Sequence, residues 1–236
     1  MGCSGTNAYR HGTMKEWVLS MTVVLADGTI VKTRHRPCKS SAGYDLTQLM
    51  IGSEGTLGLV TEAVLKVTST PRNLHVAVAT FPSTHAAVGT AVSLIGSGLP
   101  IDALELIDKY SMGAINLSGL SSKRWKESPT LFLKFSGSPS AVEDQIKITK
   151  EAATKNKCES FELSAEKDEI EVAWSARKAV GPSVMAMKKD PTDLFLTADA
   201  AVPVSRLGDI IEEAHQAIMN AGFVGSTLGH LGDGKS

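Results

Sequence analysis

The most informative stretch of this sequence reads Ile51-Gly-Ser-Glu-Gly-Thr-Leu-Gly-Leu-Val-Thr-Glu62. Glycine is favoured where the backbone adopts positive φ or comes very close to a ligand, and successive backbone N–H groups in such a loop can bind an anion. The spacing G-x-x-G-x-x-G differs from the G-x-G-x-x-G of a Rossmann turn. The alternation over residues 61–67 predicts a following strand, whereas the Rossmann turn leads into a helix. The pattern therefore indicates a phosphate-bearing cofactor that is held in another way than NAD.

A second loop of similar composition lies near the beginning of the chain. It reads Gly2-Cys-Ser-Gly-Thr-Asn-Ala8 and continues to His11-Gly-Thr-Met14. Two glycines, two hydroxyls and an amide suit a loop around a polar ligand, although the same composition is typical of a surface turn. Strands are predicted over 18–25 and 30–33 with a hairpin at Asp27-Gly28. The two loops flank this hairpin, which favours the ligand interpretation.

The composition limits the possible classes of function. The chain has 236 residues, of which 42% are hydrophobic and 21% charged, with a net charge of −1. This suits one large or two small globular domains and gives no reason to expect nucleic acid as a partner. Cys3, Cys38 and Cys158 have no disulfide or metal spacing. No apolar run approaches the roughly 20 residues of a transmembrane helix.

Beyond Pro71, predicted helices alternate with strands that carry one apolar face. Strands are predicted over 75–81, 101–106, 131–135, 194–204 and from Phe223, and helices over 83–98, 108–116, 140–156, 165–180 and 205–221. This pattern predicts an α+β fold with a largely antiparallel sheet. Residues 1–70 contain too few strands for a compact domain of their own, so we expect them to be part of a larger one.

Several short segments together resemble a known family. In the first 70 residues they are Ser4-Gly-Thr-Asn-Ala8, Tyr9 to Thr13, Leu25-Ala-Asp-Gly28, Ser41-Ala-Gly-Tyr-Asp45 and Ile51 to Glu62. Further on they are Ala103-Leu-Glu-Leu-Ile-Asp108, Leu131-Phe-Leu-Lys-Phe-Ser-Gly137, Trp174-Ser-Ala-Arg-Lys178, Asp199-Ala-Ala-Val-Pro-Val-Ser-Arg-Leu207 and Gly229-His-Leu-Gly-Asp-Gly234. They resemble the vanillyl-alcohol-oxidase/PCMH-type flavoproteins, and within these the cytochrome-linked D-lactate dehydrogenases of mitochondria.

The resemblance implies a fold, a cofactor and an activity. Residues 1–70 would form the C-terminal half of a PCMH-type FAD-binding domain. Residues 71–236 would form the FAD-linked oxidase C-terminal domain, an α+β cap that binds substrate, truncated at its C-terminus. The chain would then be an internal fragment of a mitochondrial flavoprotein. The implied activity is oxidation of D-lactate to pyruvate by hydride transfer to FAD, with cytochrome c as electron acceptor. D-2-hydroxyglutarate and glycolate are the alternative substrates.

The resemblance also assigns residues to the cofactor. Those expected along the isoalloxazine and ribityl side are Ser4, Gly5, Thr6, Asn7, Ala8, Gly12 and Thr13. Those expected along the pyrophosphate and adenosine are Ile51, Gly52, Glu54, Gly55, Gly58 and Val60.

Arg177 and His230 are the catalytic candidates. A guanidinium can bind a carboxylate through two parallel hydrogen bonds, so Arg177 is expected to hold the substrate carboxylate. The alternative is a solvated arginine on a charged helix. The resemblance assigns His230 to the substrate hydroxyl and to a divalent metal such as zinc. Lys235 stands where the family has asparagine and the family's second histidine is absent, which makes metal binding doubtful because such sites normally have three or more protein ligands.

Three other interpretations arise, of which the first is disfavoured. Residues 229–236 match the phosphate-binding pattern G-x-x-x-x-G-K-[ST], but that loop functions by leading into a helix, and the sequence offers no residues to form one. The N-terminal Met1-Gly-Cys-Ser-Gly-Thr6 matches an N-myristoylation signal with Cys3 placed for palmitoylation, which would indicate a lipid-anchored interaction protein. Alternatively, the chain lacks half of the FAD site and is catalytically inactive.

Overall fold

The computed structural model describes residues 2–34, 43–190 and 192–231. The chain divides into two compact units, Met1–Thr70 and Pro71–Ser236, which we call unit 1 and unit 2. Across the described ranges, no helix combines the length and the apolar character that crossing a membrane would require.

Unit 1 is built on an antiparallel sheet. Its strands are β1 (Val18–Val24), β2 (Ile30–Lys32) and β3 (Leu59–Leu65), in the order β2-β1-β3. The helices of this unit are α1 (Ala8–His11), α2 (Met14–Trp17) and α3 (Leu46–Met50). The hairpin predicted at Asp27-Gly28 is confirmed, since β1 and β2 pair directly and Gly28 has a φ of +84°. The strand predicted after the glycine loop is confirmed as β3.

The core of unit 1 is small. Its buried apolar side chains are Val18, Met21, Val23 and Ile51. A buried hydrogen bond of 2.7 Å between the hydroxyls of Thr33 and Thr47 joins the end of the hairpin to α3. Helix α3 begins directly after Asp45, whose carboxylate accepts a hydrogen bond from the backbone N–H of Gln48. These contacts fix the position of the loop that follows α3.

Unit 2 contains an antiparallel sheet with helices on both faces. Its strands are β4 (His75–Thr80), β5 (Ala103–Ile107), β6 (Thr130–Phe135), β7 (Ser160–Ser164) and β8 (Leu228–His230), in the order β7-β4-β6-β5-β8. The helices are α4 (Thr84–Gly96), α5 (Lys109–Ser118), α6 (Pro139–Lys155), α7 (Lys167–Met185) and α8 (Leu207–Asn220), with a 3-10 turn at Val204–Arg206. The predicted α+β class with an antiparallel sheet is confirmed.

The face of the sheet that meets α5 and α7 carries the main core. Strand residues Val76, Val78 and Phe132 are buried there together with Trp174 and Val180 of α7. The opposite face meets α4 and α6. Because side chains alternate across a strand, Leu104 and Leu106 point to one face while Ala103, Glu105 and Ile107 point to the other. Glu105 therefore points toward α7, within this core.

Two predicted strands are wrong. Residues 194–203 contain no strand beyond a single bridge position at Ala201, a 3-10 turn begins at Val204, and the strand expected from Phe223 begins only at Leu228. Leu194 and Leu196 are 85% and 81% exposed, so their alternation has no core face to occupy. The Phe223 N–H instead bonds to the Ile218 carbonyl at the end of α8. A strand pattern alone cannot form a strand without a partner.

Other local predictions need smaller corrections. The helix predicted over 205–221 begins only at Leu207, and Ser205 lies inside the 3-10 turn. Strand β7 was not predicted, because Ser160, Glu162 and Ser164 alternate with only two apolar residues. It is an edge strand, where one polar face is compatible with solvent.

Candidate functional site

The two glycine-containing loops of unit 1 adjoin one another. A Cβ placed on Gly2 would lie 3.8 Å from Cγ2 of Ile51 and 4.0 Å from the Cα of Gly52. The first loop is closed on itself by a 3.0 Å hydrogen bond from the Met14 N–H to the Cys3 carbonyl. These distances are compatible with the prediction that the two loops belong to one site within this unit.

The first loop leads into a short turn of helix. The Ala8 N–H bonds to the Gly5 carbonyl at 2.8 Å, and the Gly12 N–H bonds to the Ala8 carbonyl at 2.8 Å. Gly12 has a φ of +70°, which reverses the chain before α2. The residues from Ser4 to Asn7 precede this turn, and most of them are exposed.

The Thr13 side chain is committed to local structure. Its hydroxyl donates to Oε2 of Glu16 at 2.9 Å, and the Thr13 N–H donates to the same oxygen at 2.7 Å. This capping box opens α2, and the hydrogen bonds from Thr13 lower the pKa of Glu16. Any contribution of Thr13 to cofactor binding would therefore come from the position of its backbone and not from its hydroxyl.

The second loop has the backbone conformation expected for an anion-binding segment. Gly52 and Gly55 have φ values of +85° and +82°, and Glu54 between them has +51°. Gly52, Glu54 and Gly55 are exposed, and an added Cβ at either glycine would meet nothing within 4 Å. The loop is held by the Thr56 N–H and hydroxyl, which both donate to the Ser53 carbonyl. Space for a ligand therefore exists beside the backbone.

Three other residues assigned to the cofactor have structural roles in unit 1. A Cβ on Gly58 would lie 2.7 Å from Cγ1 of Val23 and 2.8 Å from the Val24 carbonyl oxygen. Close packing against β1 therefore requires glycine there. Ile51 is buried in the core, and Val60 pairs with Val23 in the sheet. The open backbone at Gly52 and Gly55 is of the kind that can bind an anion, whereas these three residues hold the loop against the sheet and core of unit 1.

Unit 2 brings both catalytic candidates onto one carboxylate that had no predicted role. Oε2 of Glu105 accepts hydrogen bonds from Nε of Arg177 at 3.0 Å and Nη2 at 2.6 Å. Oε1 of the same side chain lies 2.9 Å from Nδ1 of His230. We call Glu105, Arg177 and His230 the carboxylate-bridged cluster.

Regular structure places each member of this cluster. Glu105 and His230 are direct partners across the antiparallel pair of β5 and β8. Arg177 projects from α7, one turn after Trp174, on the side of the helix that packs on the sheet. The cluster is therefore supported by a strand pair and a long helix, which hold side chains more rigidly than loops do.

The three side chains of this cluster differ in solvent exposure. Glu105 is 2% exposed and Arg177 is 7% exposed, whereas the His230 side chain is 35% exposed. Arg177 is consequently not the solvated arginine that the sequence left as an alternative. Buried charges are normally paired, and here the guanidinium and carboxylate neutralise each other.

A second cation lies close to the same face of the sheet. Nζ of Lys134 lies 3.8 Å from the ring centroid of Trp174, a cation–π contact. Burial lowers the pKa of Lys134, while the carboxylates of Asp102 and Glu105 act in the opposite direction. The electrostatic field around Glu105 is thus shaped by cations on two elements.

Glu105 is the residue that sequence reasoning missed. It is the single charge in Ala103-Leu-Glu-Leu-Ile107, and all five residues of this strand are buried. Glutamate is almost never fully buried unless it is paired. A carboxylate within an apolar strand was therefore an available signal for a buried partner.

The metal hypothesis gains no support from the described residues. Among residues 2–34, 43–190 and 192–231, no group of three or more His, Cys, Asp or Glu side chains is placed to hold a metal ion. The His230 Nδ1 is engaged with Glu105. Several predictions fall outside the described residues, namely those on Cys38, on Ser41-Ala42 and on Gly232 to Ser236, which include the phosphate-loop pattern.

Comparison with known proteins identifies the family. The family described as FAD linked oxidases, C-terminal domain, matches residues 70–236. The chain is 44% identical over 237 aligned residues to the mitochondrial D-lactate dehydrogenase (cytochrome) of Kluyveromyces lactis, covering 99% of this chain and 41% of that protein. It is also 44% identical to the mitochondrial D-lactate dehydrogenase (cytochrome) 1 of Saccharomyces cerevisiae, covering 99% of this chain and 40% of that protein.

A solved structure of p-cresol methylhydroxylase with bound substrate shares the fold. Its TM-score is 0.70 at 11% identity, over 95% of this chain and 52% of that one. The chain spans about two fifths of the length of the two yeast relatives, at 41% and 40%. On the match over residues 70–236, which is most of its length, the chain belongs to the family of FAD-linked oxidases, and those residues correspond to the family's C-terminal domain.

Proposed function

We propose that the protein takes part in FAD-dependent oxidation of a D-2-hydroxy acid, with D-lactate as substrate and pyruvate as product. Cytochrome c is the proposed electron acceptor and the mitochondrion the proposed compartment. These assignments are supported by the names of the yeast relatives, which are mitochondrial D-lactate dehydrogenases (cytochrome). D-2-hydroxyglutarate and glycolate are retained as substrates to be compared.

The observation that carries the proposal is the carboxylate-bridged cluster. A 2-hydroxy acid presents a carboxylate and a hydroxyl on adjacent carbons. Its oxidation needs a fixed cation for the first group and a proton acceptor for the second. Arg177 and His230 both lie within hydrogen-bonding distance of Glu105. A cation and an imidazole are therefore held against the two oxygens of one buried carboxylate.

Each residue then has a defined task in the reaction. Arg177 would bind the substrate carboxylate and orient the C2–H bond. His230 would assist removal of the substrate's hydroxyl proton. FAD, when bound, would supply the acceptor for the hydride that leaves C2. The hydroxyl proton and the hydride together account for the two hydrogens lost when lactate becomes pyruvate.

Unit 1 would hold the cofactor through its two loops. The open backbone at Gly52, Glu54 and Gly55 would face the pyrophosphate and adenosine, with Gly58 and Val60 behind. The loop of Ser4, Gly5, Thr6, Asn7 and Ala8, with Gly12 and Thr13 after it, would lie along the isoalloxazine and ribityl side. The proximity of the two loops supports this arrangement, since a Cβ built on Gly2 would lie 3.8 Å from Cγ2 of Ile51 and 4.0 Å from the Cα of Gly52.

The substitution Arg177→Lys tests the substrate assignment. Lysine keeps the charge opposite Glu105 but loses the planar fork that binds a carboxylate by two bonds. In the FAD-loaded protein we expect KM for D-lactate to rise about 10–100-fold, equivalent to about 1.4–2.8 kcal/mol, with a smaller change in kcat. Steady-state assays with D-lactate, glycolate and D-2-hydroxyglutarate give both constants for each substrate.

Arg206→Lys is the matched control, because Arg206 is exposed and pairs only with Asp209 at 3.2 Å among the ion pairs described for it. It should leave KM and kcat unchanged. Unaltered KM in Arg177→Lys would show that Arg177 does not bind the substrate. If the FAD-loaded wild-type protein oxidised none of the three acids, the proposed activity itself would be wrong.

A further inference from the structure

Strand β8 carries His230, but its own sequence does little to fix its position. It contains three residues, Leu228, Gly229 and His230, and is the outermost strand of its sheet within the described part of the chain. Strands of globular proteins more often have five or six residues. Gly229 has no side chain to pack, and Leu228 is only partly buried against the core. Few side-chain contacts therefore distinguish the observed register of β8 from one shifted by a residue.

The register of β8 decides which face of the sheet carries His230. In the observed register Leu228 is paired with Ile107, and His230 is paired with Glu105. Because side chains alternate across a strand, a shift of one residue would turn His230 to the opposite face, away from Glu105. The carboxylate-bridged cluster therefore depends on this register.

Asp108 binds the residue that precedes β8 through two separate groups. Its backbone N–H donates to the Thr227 carbonyl at 3.2 Å. Its Oδ2 accepts a hydrogen bond from the Thr227 N–H at 2.8 Å. Asp108 and Thr227 directly follow the pair of Ile107 with Leu228 and continue the same register. The carboxylate therefore extends the pairing of β8 beyond the end of β5.

Capping of α5 does not by itself account for a buried carboxylate at this position. Oδ1 of Asp108 accepts a hydrogen bond from the Ser111 N–H at 2.7 Å, which caps α5. Serine has the same task at the start of α4 and α6, at Ser83 and Ser138, and is about as effective an N-cap as aspartate. Asp108 is 5% exposed, and burying a carboxylate is costly. A serine would not supply the second oxygen, which binds Thr227.

We propose that Asp108 is a positioning residue that fixes the register of β8 on β5 and so holds His230 beside Glu105. It acts through the backbone of Thr227, three residues before His230. The consequence for the reaction rests on the proposed function, in which His230 assists removal of the substrate's hydroxyl proton.

The substitution Asp108→Ser separates the two tasks of this side chain. The serine hydroxyl can still cap α5, but no second acceptor remains for the Thr227 N–H. In NMR hydrogen exchange of the whole chain, we expect the amides of residues 227–230 to exchange at least about 10-fold faster than in wild type, because a hydrogen bond to a charged group is lost. The amides of α5 should keep their wild-type protection. Asp144→Ser is the control, the same change at an exposed position of α6, and it should alter neither segment.

Kinetics of the FAD-loaded protein give a second readout. We expect Asp108→Ser to lower kcat per bound FAD by at least about 10-fold, because general acid–base catalysis typically contributes about 100-fold or more. KM for D-lactate should change by less than about 3-fold, since Arg177 lies on α7 and does not depend on the register of β8. A general loss of stability would instead lower the amount of bound FAD and leave kcat per bound FAD unchanged.

Wild-type protein provides a measurement that does not depend on the folding of a variant. The Thr227 amide should exchange much more slowly than the amides of Gly225 and Ser226, although all three precede β8. A Thr227 amide that exchanges as fast as that of Ser226 would overturn the inference.

The variant can contradict the inference in three ways. Unchanged exchange of residues 227–230 in Asp108→Ser would show that Asp108 does not hold β8. Equal loss of protection in α5 would show that Asp108 only caps the helix. Faster exchange of β8 with an unchanged kcat per bound FAD would show that the register does not position His230 for the reaction. If the wild-type protein oxidised none of the three acids while exchange changed as expected, the proposed substrate would be wrong and the role of Asp108 in the register of β8 would be confirmed.

Discussion

Gly58 illustrates how a single glycine can be required by packing inside a loop that resembles a ligand site. The distances of 2.7 Å to Val23 and 2.8 Å to the Val24 carbonyl leave no room for a Cβ, and the second contact is backbone. We expect Gly58→Ala to destabilise unit 1 by about 1–3 kcal/mol, the usual cost of overpacking. Urea denaturation followed by hydrogen exchange of residues 18–24 would measure this loss.

Gly5→Ala is the matched change in the same unit. A Cβ on Gly5 would meet nothing within 4 Å, so its unfolding midpoint should stay at the wild-type value. Equal stability of Gly58→Ala and wild type would mean that β1 and the loop are further apart than the structure shows.

At this scale the sequence predicted residue types better than residue roles. The three glycines of the 51–62 stretch follow one spacing, yet Gly52 and Gly55 have positive φ while Gly58 is a packing position. Positive φ and close packing both require glycine, and only the three-dimensional structure distinguishes the two requirements. Arg177 and His230 could be chosen from the chemistry of a 2-hydroxy acid. Their common partner Glu105 could not be chosen in this way. Glu105 and Arg177 lie 72 positions apart in the sequence, and such a contact leaves no local sequence pattern.

One histidine of α4 forms hydrogen bonds to two carboxylates of α8. Nε2 of His85 lies 3.0 Å from Oδ1 of Asp209, and Nδ1 lies 2.9 Å from Oε1 of Glu212. These two carboxylates raise the pKa of His85 above its ordinary value of 6.5, and the hydrogen bond to His85 is the main reason that the pKa of Asp209 falls below 3.8. Arg206 also faces Asp209 and contributes to the lower pKa.

The direction of the pH dependence follows from these shifts. Because the folded pKa of His85 is raised, its contribution is fully present below pH 6.5 and is lost as the pH rises through the folded value. Because the folded pKa of Asp209 is lowered, its contribution is present above 3.8 and is lost as the pH falls through the folded value. Wild type should therefore exceed His85→Gln in stability mainly between these limits.

Urea midpoints of wild type and His85→Gln measured from pH 4 to pH 9 would test this. The group is largely exposed, so we expect a difference of only about 0.3 M near pH 5.5, declining toward zero at pH 9. His75→Gln controls for removal of a histidine, since the His75 ring bonds a backbone carbonyl. A difference that does not vary with pH would exclude an ionic origin.

Elements with strong periodicity and a defined cap were predicted well. The helices predicted from residues 83 and 108 form as α4 and α5, with Ser83 and Asp108 as their N-caps. The strand predicted over residues 194–204 does not form, because a segment with strand propensity forms a strand only when it can pair with a neighbouring strand. The propensity of the segment does not indicate whether such a neighbour exists.

The two units differ in how much apolar surface they bury. Unit 2 encloses a core that includes Phe132, Trp174 and Val180. The core of unit 1 contains only four buried apolar side chains, one of which is Met21. Several apolar residues of β3 remain exposed, among them Leu59, Val60 and Leu65. Burial of apolar area is the main source of folding free energy, so local opening should be easier in unit 1.

This difference gives a test of cofactor binding by the whole chain. In hydrogen exchange followed by mass spectrometry, we expect slow exchange in β4, β5 and β6 of unit 2 and much faster exchange in unit 1. A ligand that binds only the folded form stabilises it by RT ln(1 + [L]/Kd), so FAD at about 100 times its Kd should slow exchange in the stabilised segments by about 100-fold. Residues 2–13 and 51–58 should respond most.

Riboflavin, which lacks the pyrophosphate and adenosine, is the control and should protect residues 51–58 far less. Equal protection of both loops by riboflavin would show that the second loop does not bind the phosphate side, and no protection by FAD at any concentration would show that unit 1 does not hold the cofactor.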